Sequence, residues 1–156
     1  MKLRLICVGT RMPAWVEAGV EEYRRRLPRE FDLQLLEVPL AQRGKTLDAA
    51  TARQRESDAC LRLVHKNDYL AALDVRGRSF STEALAGELG RLRDDGRDLA
   101  LVVGGPDGLS DQCLSQAQAR WSLSALTFPH PIVRVILAEQ LYRVWTLLQG
   151  HPYHRA

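Results

Sequence analysis

The sequence predicts an α/β fold, a five-stranded, mainly parallel sheet with helices on both faces. Short β-rich apolar runs alternate five times with longer stretches of helical patterning. That alternation is how parallel strands are connected, because each crossover helix returns over a face of the sheet. The length agrees, since 156 residues of which 46% are hydrophobic can bury one core and are too few for two ordinary domains. A single domain over residues 1–156 is expected.

The elements follow in order. A first strand, "LRLICVG", leads into a helix over "PAWVEAGVEEYRRRL", where Pro13 fits the first turn and Glu21 with Arg25, and Glu22 with Arg26, are spaced i to i+4. The strand "FDLQLLEV" is followed by the most loop-like interior stretch, Pro39 to Thr46, and by a helix from about Leu47 to His65. Next come the strand "YLAALDV", the loop "RGRSFS" and the helix "STEALAGELGRLR", which Ser81 can cap. The strand "LALVVGG" exits through "PDGLS" into a helix capped by Ser110. "SLSALT" is expected to be the fifth strand, and the last helix starts with Pro131 in its first turn.

Several function classes lose support at this point. No apolar run approaches the ~20 residues that cross a bilayer, and the first nine residues lack a signal-peptide cleavage site, so a cytoplasmic protein is expected. Cys7, Cys60 and Cys113 are odd in number and widely spaced, which suggests structural thiols rather than disulfides. The histidines 65, 130, 151 and 154 have no metal-binding spacing, so no metal is expected. A net charge of +3 is compatible with a polyanion partner without requiring one. The basic residues of "EYRRRLPRE" and "AQRGK" read first as solvated charge and second as an RNA patch.

Ligands in open parallel sheets bind beyond the C-terminal ends of the strands, so the strand exits are the places to search. "VVGGPDGLS" gathers Gly104, Gly105 and Gly108 around Pro106, and lets a ligand approach the backbone closely. It is neither a dinucleotide fingerprint nor a P-loop. "SLSALTFPHPIVR" is a polar-edged backbone stiffened by two prolines around His130, whose default role is structural. On the final helix Val133, Leu137, Leu141, Val144, Trp145 and Leu148 form one stripe. Arg134 falls inside that stripe and needs a polar partner or a pocket rim. Glu139 and Arg143 form an ordinary surface pair on the opposite arc. The remaining apolar residues, Ile132, Val135, Ile136, Tyr142 and Leu147, make this helix sticky nearly all round, and a second copy of the chain is the natural cover.

With "GGPDGLS", "SLSALTFPHPIVRVILAEQLYR" and the terminal "HPYHR" together, the whole chain resembles the bacterial ribosomal large-subunit pseudouridine methyltransferase H family, within the SPOUT superfamily. That resemblance implies a C-terminal trefoil knot, a homodimer, and S-adenosylmethionine bound in the knot. It implies methylation of N3 of a pseudouridine in 23S rRNA of the assembled ribosome. Its cofactor contacts, carried onto this chain, are Leu73, Gly104 and the run Leu123, Ser124, Ala125, Leu126, Thr127 and Phe128. These are the strand exits already singled out.

The resemblance also gives the tail a use. Pseudouridine N3 begins as an imide N–H and attacks a methyl group well only after the proton leaves, so a base is wanted nearby. His154 is the candidate base, Arg155 the candidate stabiliser of charge on the base carbonyls, and Tyr153 a stacking or hydrogen-bonding partner. Arg134 and Arg143 are the candidate substrate-binding residues. The tail instead gripping RNA phosphates, with solvent taking the proton, is the other reading of the same residues. A tRNA 2'-O-methyltransferase and a non-catalytic ribosome-binding factor are the competing functions.

Overall fold

A computed structural model describes residues 1–155, the last two as backbone alone. The order is β1 (Lys2–Val8), α1 (Ala14–Arg24), a 3-10 turn (Arg29–Phe31), β2 (Asp32–Val38), α2 (Ala49–Leu61), β3 (Asp68–Ser79) and α3 (Thr82–Asp94). It continues with β4 (Asp98–Val103), α4 (Asp111–Gln116), β5 (Ala119–Ser122), α5 (His130–Leu148) and a second 3-10 turn (Pro152–Arg155). The five strands form one sheet in the order β2-β1-β4-β3-β5, and every neighbouring pair is parallel. The expected sheet was mainly parallel; the observed one is wholly so. This order is compatible with the trefoil knot.

Period-two alternation explains the layers. Leu3, Leu5 and Cys7 of β1, with Leu99, Leu101 and Val103 of β4, pack on one face with residues of α1, α3 and α5. Ile6 and Val8, with Ala100 and Val102, pack on the other face with Cys60 of α2 and Cys113 and Leu114 of α4. All three cysteines are buried and free, and burial pushes the thiols of Cys7 and Cys60 up to about 12. The caps form as read: Ser81 Oγ accepts from the Ala84 amide at 3.1 Å and Ser110 Oγ from the Cys113 amide at 3.2 Å.

Two expectations are corrected. The fifth strand is Ala119–Ser122, so "SLSALT" is mostly the loop after it. A bonded ladder needs a neighbour, and only this earlier stretch lies beside β3. The segment read as the loop "RGRSFS" mostly continues β3. Leu73 and Arg78 both face Trp121, so residues 74–77 bulge out of the ladder. At Gly77 a Cβ would lie 2.6 Å from the backbone carbon of Trp121, so only glycine lets the bulge return against β5.

Much of the apolar surface expected to await a second subunit is covered within the chain. Val135 packs on Gly19 of α1, and Tyr142 is buried with its ring 6.1 Å from that of Tyr23. Ile132, at 39% exposure, remains outside on α5, as does Trp15 on α1.

Candidate active site

The C-terminal ends of β3, β4 and β5 surround a cavity of about 760 Å³, a volume suited to a nucleoside-sized ligand. Leu73 enters from β3, Gly104 from the exit of β4, and Leu123, Ser124, Leu126, Thr127 and Phe128 from the loop after β5. Ala125 sits at the exposed tip of that loop and is not part of the lining. Apart from Ala125, residues up to 55 positions apart are therefore brought together by the strand order. The loop after β5 is also a partition. Leu73, Ser122, Leu123, Ser124 and Phe128 border a second, more apolar cavity of about 430 Å³, closed by Trp121, Phe80 and the side of α5.

Local bonds shape the walls. The Ser122 hydroxyl donates to the Ser124 carbonyl at 3.1 Å, and the Leu126 amide donates to Ser124 Oγ at 3.0 Å, which folds the loop back on itself. The glycine-rich exit of β4 is a turn closed by the Gly108 amide on the Gly105 carbonyl at 3.0 Å. A Cβ on Gly104 would stand 2.6 Å from the carbonyl carbon of Gly108. The turn can close this tightly only on glycine, and its backbone groups are thereby presented to the cavity.

His130, at the start of α5, also lines the cavity. Its pKa is lowered, first by burial and then by the cationic Arg134 one turn on, so it stays neutral near neutral pH. Asp74 lines the cavity as well, with its side chain 9% exposed and its Oδ1 accepting the Arg76 amide at 3.0 Å. Sequence reasoning did not select it, although an acidic residue near the C-terminal end of the apolar strand run "YLAALDV" is the signal that could have.

Both expected substrate-binding arginines have protein partners, and only Arg134 is buried. Arg134 is buried to 1% exposure, with Nη1 2.5 Å from Glu37 Oε2 and Nη2 donating to the carbonyls of Gly9 at 2.7 Å and Val8 at 3.2 Å. It found the polar partner that its place on an apolar stripe demanded, and that partner is protein. Arg143 pairs with Glu139 at 2.6 Å and lies 5.1 Å from the centre of the Tyr153 ring.

Tyr153 itself is docked rather than free. Its hydroxyl donates to Glu139 Oε1 at 3.3 Å, and its pKa is pushed up to about 12, first by burial and then by a hydrogen bond with Tyr23. It can donate a hydrogen bond and cannot act as a base near neutral pH. The side chains of His154 and Arg155 lie outside the described residues. The tail follows the C-terminal end of the 19-residue α5, whereas the cavity lies at its N-terminal end. The tail folds back along the helix, so that Tyr153 meets Glu139, nine residues and about 14 Å along α5 from His130.

Among the described residues no group of three or more His, Cys, Asp or Glu side chains is arranged to hold a metal ion. No described helix is long and apolar enough to cross a membrane.

Comparison with known proteins fits this geometry. The chain is 56% identical, over 99% of its length and all of that protein, to "Ribosomal RNA large subunit methyltransferase H" of Chromohalobacter salexigens. It is 56% identical over the full length of both chains to the protein of the same name from Alkalilimnicola ehrlichii. A solved structure titled as a probable methylase family protein from Haemophilus influenzae Rd KW20 superposes with a TM-score of 0.58 over 97% of this chain and 69% of that one. Its 12% identity speaks to the fold alone. A family model described as "Predicted SPOUT methyltransferase" matches residues 1–154, and with that match the chain belongs to the SPOUT methyltransferase family.

Proposed function

We propose that this methyltransferase binds S-adenosylmethionine in the strand-end cavity and methylates N3 of a pseudouridine in 23S rRNA of the assembled ribosome. The observation that carries the reading is the convergence of Leu73, Gly104 and the loop after β5 on one cavity, in a chain of this family whose relatives are named for large-subunit rRNA.

The cofactor would supply an electrophilic methyl group carrying its own driving force. The chain's share is placement and proton handling. Backbone groups of Gly104 and of Leu123 to Phe128 hold the donor, and Leu73 packs beside it. His154 takes the N3 proton, Arg155 stabilises the charge that develops on the base carbonyls, and Tyr153 donates a hydrogen bond or stacks. Arg134, buried, holds the exit of β1 and does not touch the substrate, while Arg143, partly exposed, holds the tail on the substrate side.

In the docked position Tyr153 is held on Glu139 and Tyr142, about 14 Å along α5 from His130, and does not line the cavity of its own chain. A homodimer in which the tail of one copy reaches the other's cavity resolves this, with Ile132 and Trp15 as the exposed apolar surface for pairing. Ile132→Asp should then lower the mass seen in sedimentation to that of one chain. A ribosomal substrate places the protein in the cytoplasm.

Calorimetric titration with S-adenosylmethionine tests the donor site. Saturable binding of one donor per occupied cavity supports the reading, and an absence of binding heat across several temperatures contradicts it.

A further inference from the structure

Arg43 belongs to the basic stretch "AQRGK", yet its guanidinium lies between two carboxylates. Nη1 is 2.5 Å from Glu56 Oε1 and 2.8 Å from the Ala41 carbonyl. Nε and Nη2 donate to Asp107 Oδ2 at 2.9 and 2.7 Å. Two carboxylates neutralise this arginine, so it is not available to grip an RNA phosphate.

The two acids differ in setting. Glu56, on α2, has a side chain only 1% exposed, and its Oε1 also accepts the Ala41 amide at 2.9 Å. Asp107 stands at the tip of the Gly105–Gly108 turn with its side chain 38% exposed. The ends of that loop are fixed elsewhere. Val103 is paired in β4, and the Ser110 amide donates to Ser57 Oγ of α2 at 2.9 Å. Among the described residues, the side-chain hydrogen bonds that tie the tip down between these ends are those from Arg43 to Asp107.

We propose that Arg43 is a positioning residue and that its bond to Asp107 is a latch on the cavity. Separating Arg43 from Glu56 would strand a buried charge, whereas its pair with Asp107 is reached by solvent and screened by salt. The latch therefore opens on one side. Arg43 stays bound to Glu56 of α2 while the Gly105–Gly108 turn lifts, which admits the methyl donor and releases the spent one. The inference rests on the reading of this cavity as the donor site.

Release of S-adenosylmethionine from the full chain, followed by stopped flow, tests it. Asp107→Asn should speed release about fivefold, the loss of a partly exposed charged pair, while the thermal midpoint stays within about 2 °C. Raising the salt from about 0.05 to about 0.5 M should speed release from the wild type toward the variant and leave the variant unchanged. Asp107→Glu should restore slow release, whereas Arg43→Lys, whose single ammonium cannot fork between two acids, should behave like Asp107→Asn. Equal release rates, or equal salt slopes, in wild type and Asp107→Asn would overturn the latch. Amide exchange at Gly105 to Leu109 in the donor-free protein decides it independently. Faster exchange in Asp107→Asn is expected and unchanged exchange overturns the latch, while a failure of the wild type to bind donor strikes only the reading of the site.

Discussion

The ring of Tyr153 meets the ring of Tyr142 edge-on, with centroids 4.7 Å apart and planes at 70°. The tail is thus anchored on α5 by an aromatic pair, a hydrogen bond to Glu139 and the Arg143 guanidinium. Tyr153→Ala should lower unfolding free energy by about 1 kcal/mol, while Tyr153→Phe, which keeps the ring, should retain most of it. Urea denaturation of both variants checks this, and equal midpoints for the two would show that the ring is not what anchors the tail.

Gly104→Ala should abolish tight donor binding, because its Cβ would fall 2.6 Å from the Gly108 backbone and force the turn open. The obstruction is inside the turn rather than against the donor, so the smallest side chain suffices. Calorimetry on folded variant checks it, and unchanged affinity would remove this turn from the site. Ser124→Ala, which loses one bond to the Leu126 amide, should cost only about 1 kcal/mol by comparison.

Arg134→Met should destabilise the protein by about 3 kcal/mol. It leaves Glu37 without its cation and the Val8 and Gly9 carbonyls without a donor. Chemical denaturation reads the loss directly, and an unchanged midpoint would mean that this buried pair contributes nothing net.

The alternation of strand and helix was legible because both faces of the sheet read as separate apolar sets, Leu3 and Leu5 on one, Ile6 and Val8 on the other. The strand exits were legible too, since Gly104 and the prolines around His130 mark them. What the sequence hid depends on contacts across long separations. Trp121 faces both Leu73 and Arg78, which no local pattern shows, so the bulge at Asp74 to Gly77 was read as a loop. Arg4 and Asp68 form a buried ion pair 64 residues apart, and Arg43 reaches Asp107 across the same separation. The partner of a charged side chain is set by topology, and periodicity reports only that one is needed.

His130 gives the stability a pH dependence with a defined sign. The folded protein resists protonating it, through burial and the charge of Arg134, while the unfolded chain takes the proton near the ordinary value of 6.5. Stability from the neutral ring is therefore complete above that value and declines as pH falls through it toward the lower folded pKa. Between about pH 7.5 and pH 5.5 the wild type should lose more thermal stability than His130→Gln, and parallel curves would contradict the assignment.

The central claim is methyl transfer to a ribosomal base, and transfer of a labelled methyl group from S-adenosylmethionine tests it most directly. Whole ribosomes, naked 23S rRNA and tRNA are offered to the same protein, and the labelled nucleotide is mapped. The account predicts label at N3 of a pseudouridine in 23S rRNA, on ribosomes and not on naked RNA. It also predicts a rate that falls about 10² to 10⁴-fold in His154→Ala and partly recovers at higher pH as the imide ionises unaided. A His154→Ala variant that keeps its maximal rate and only binds ribosomes more weakly would assign the tail to RNA gripping. Label on a ribose of tRNA, or no label on any of the three RNAs while the donor binds, would contradict the account.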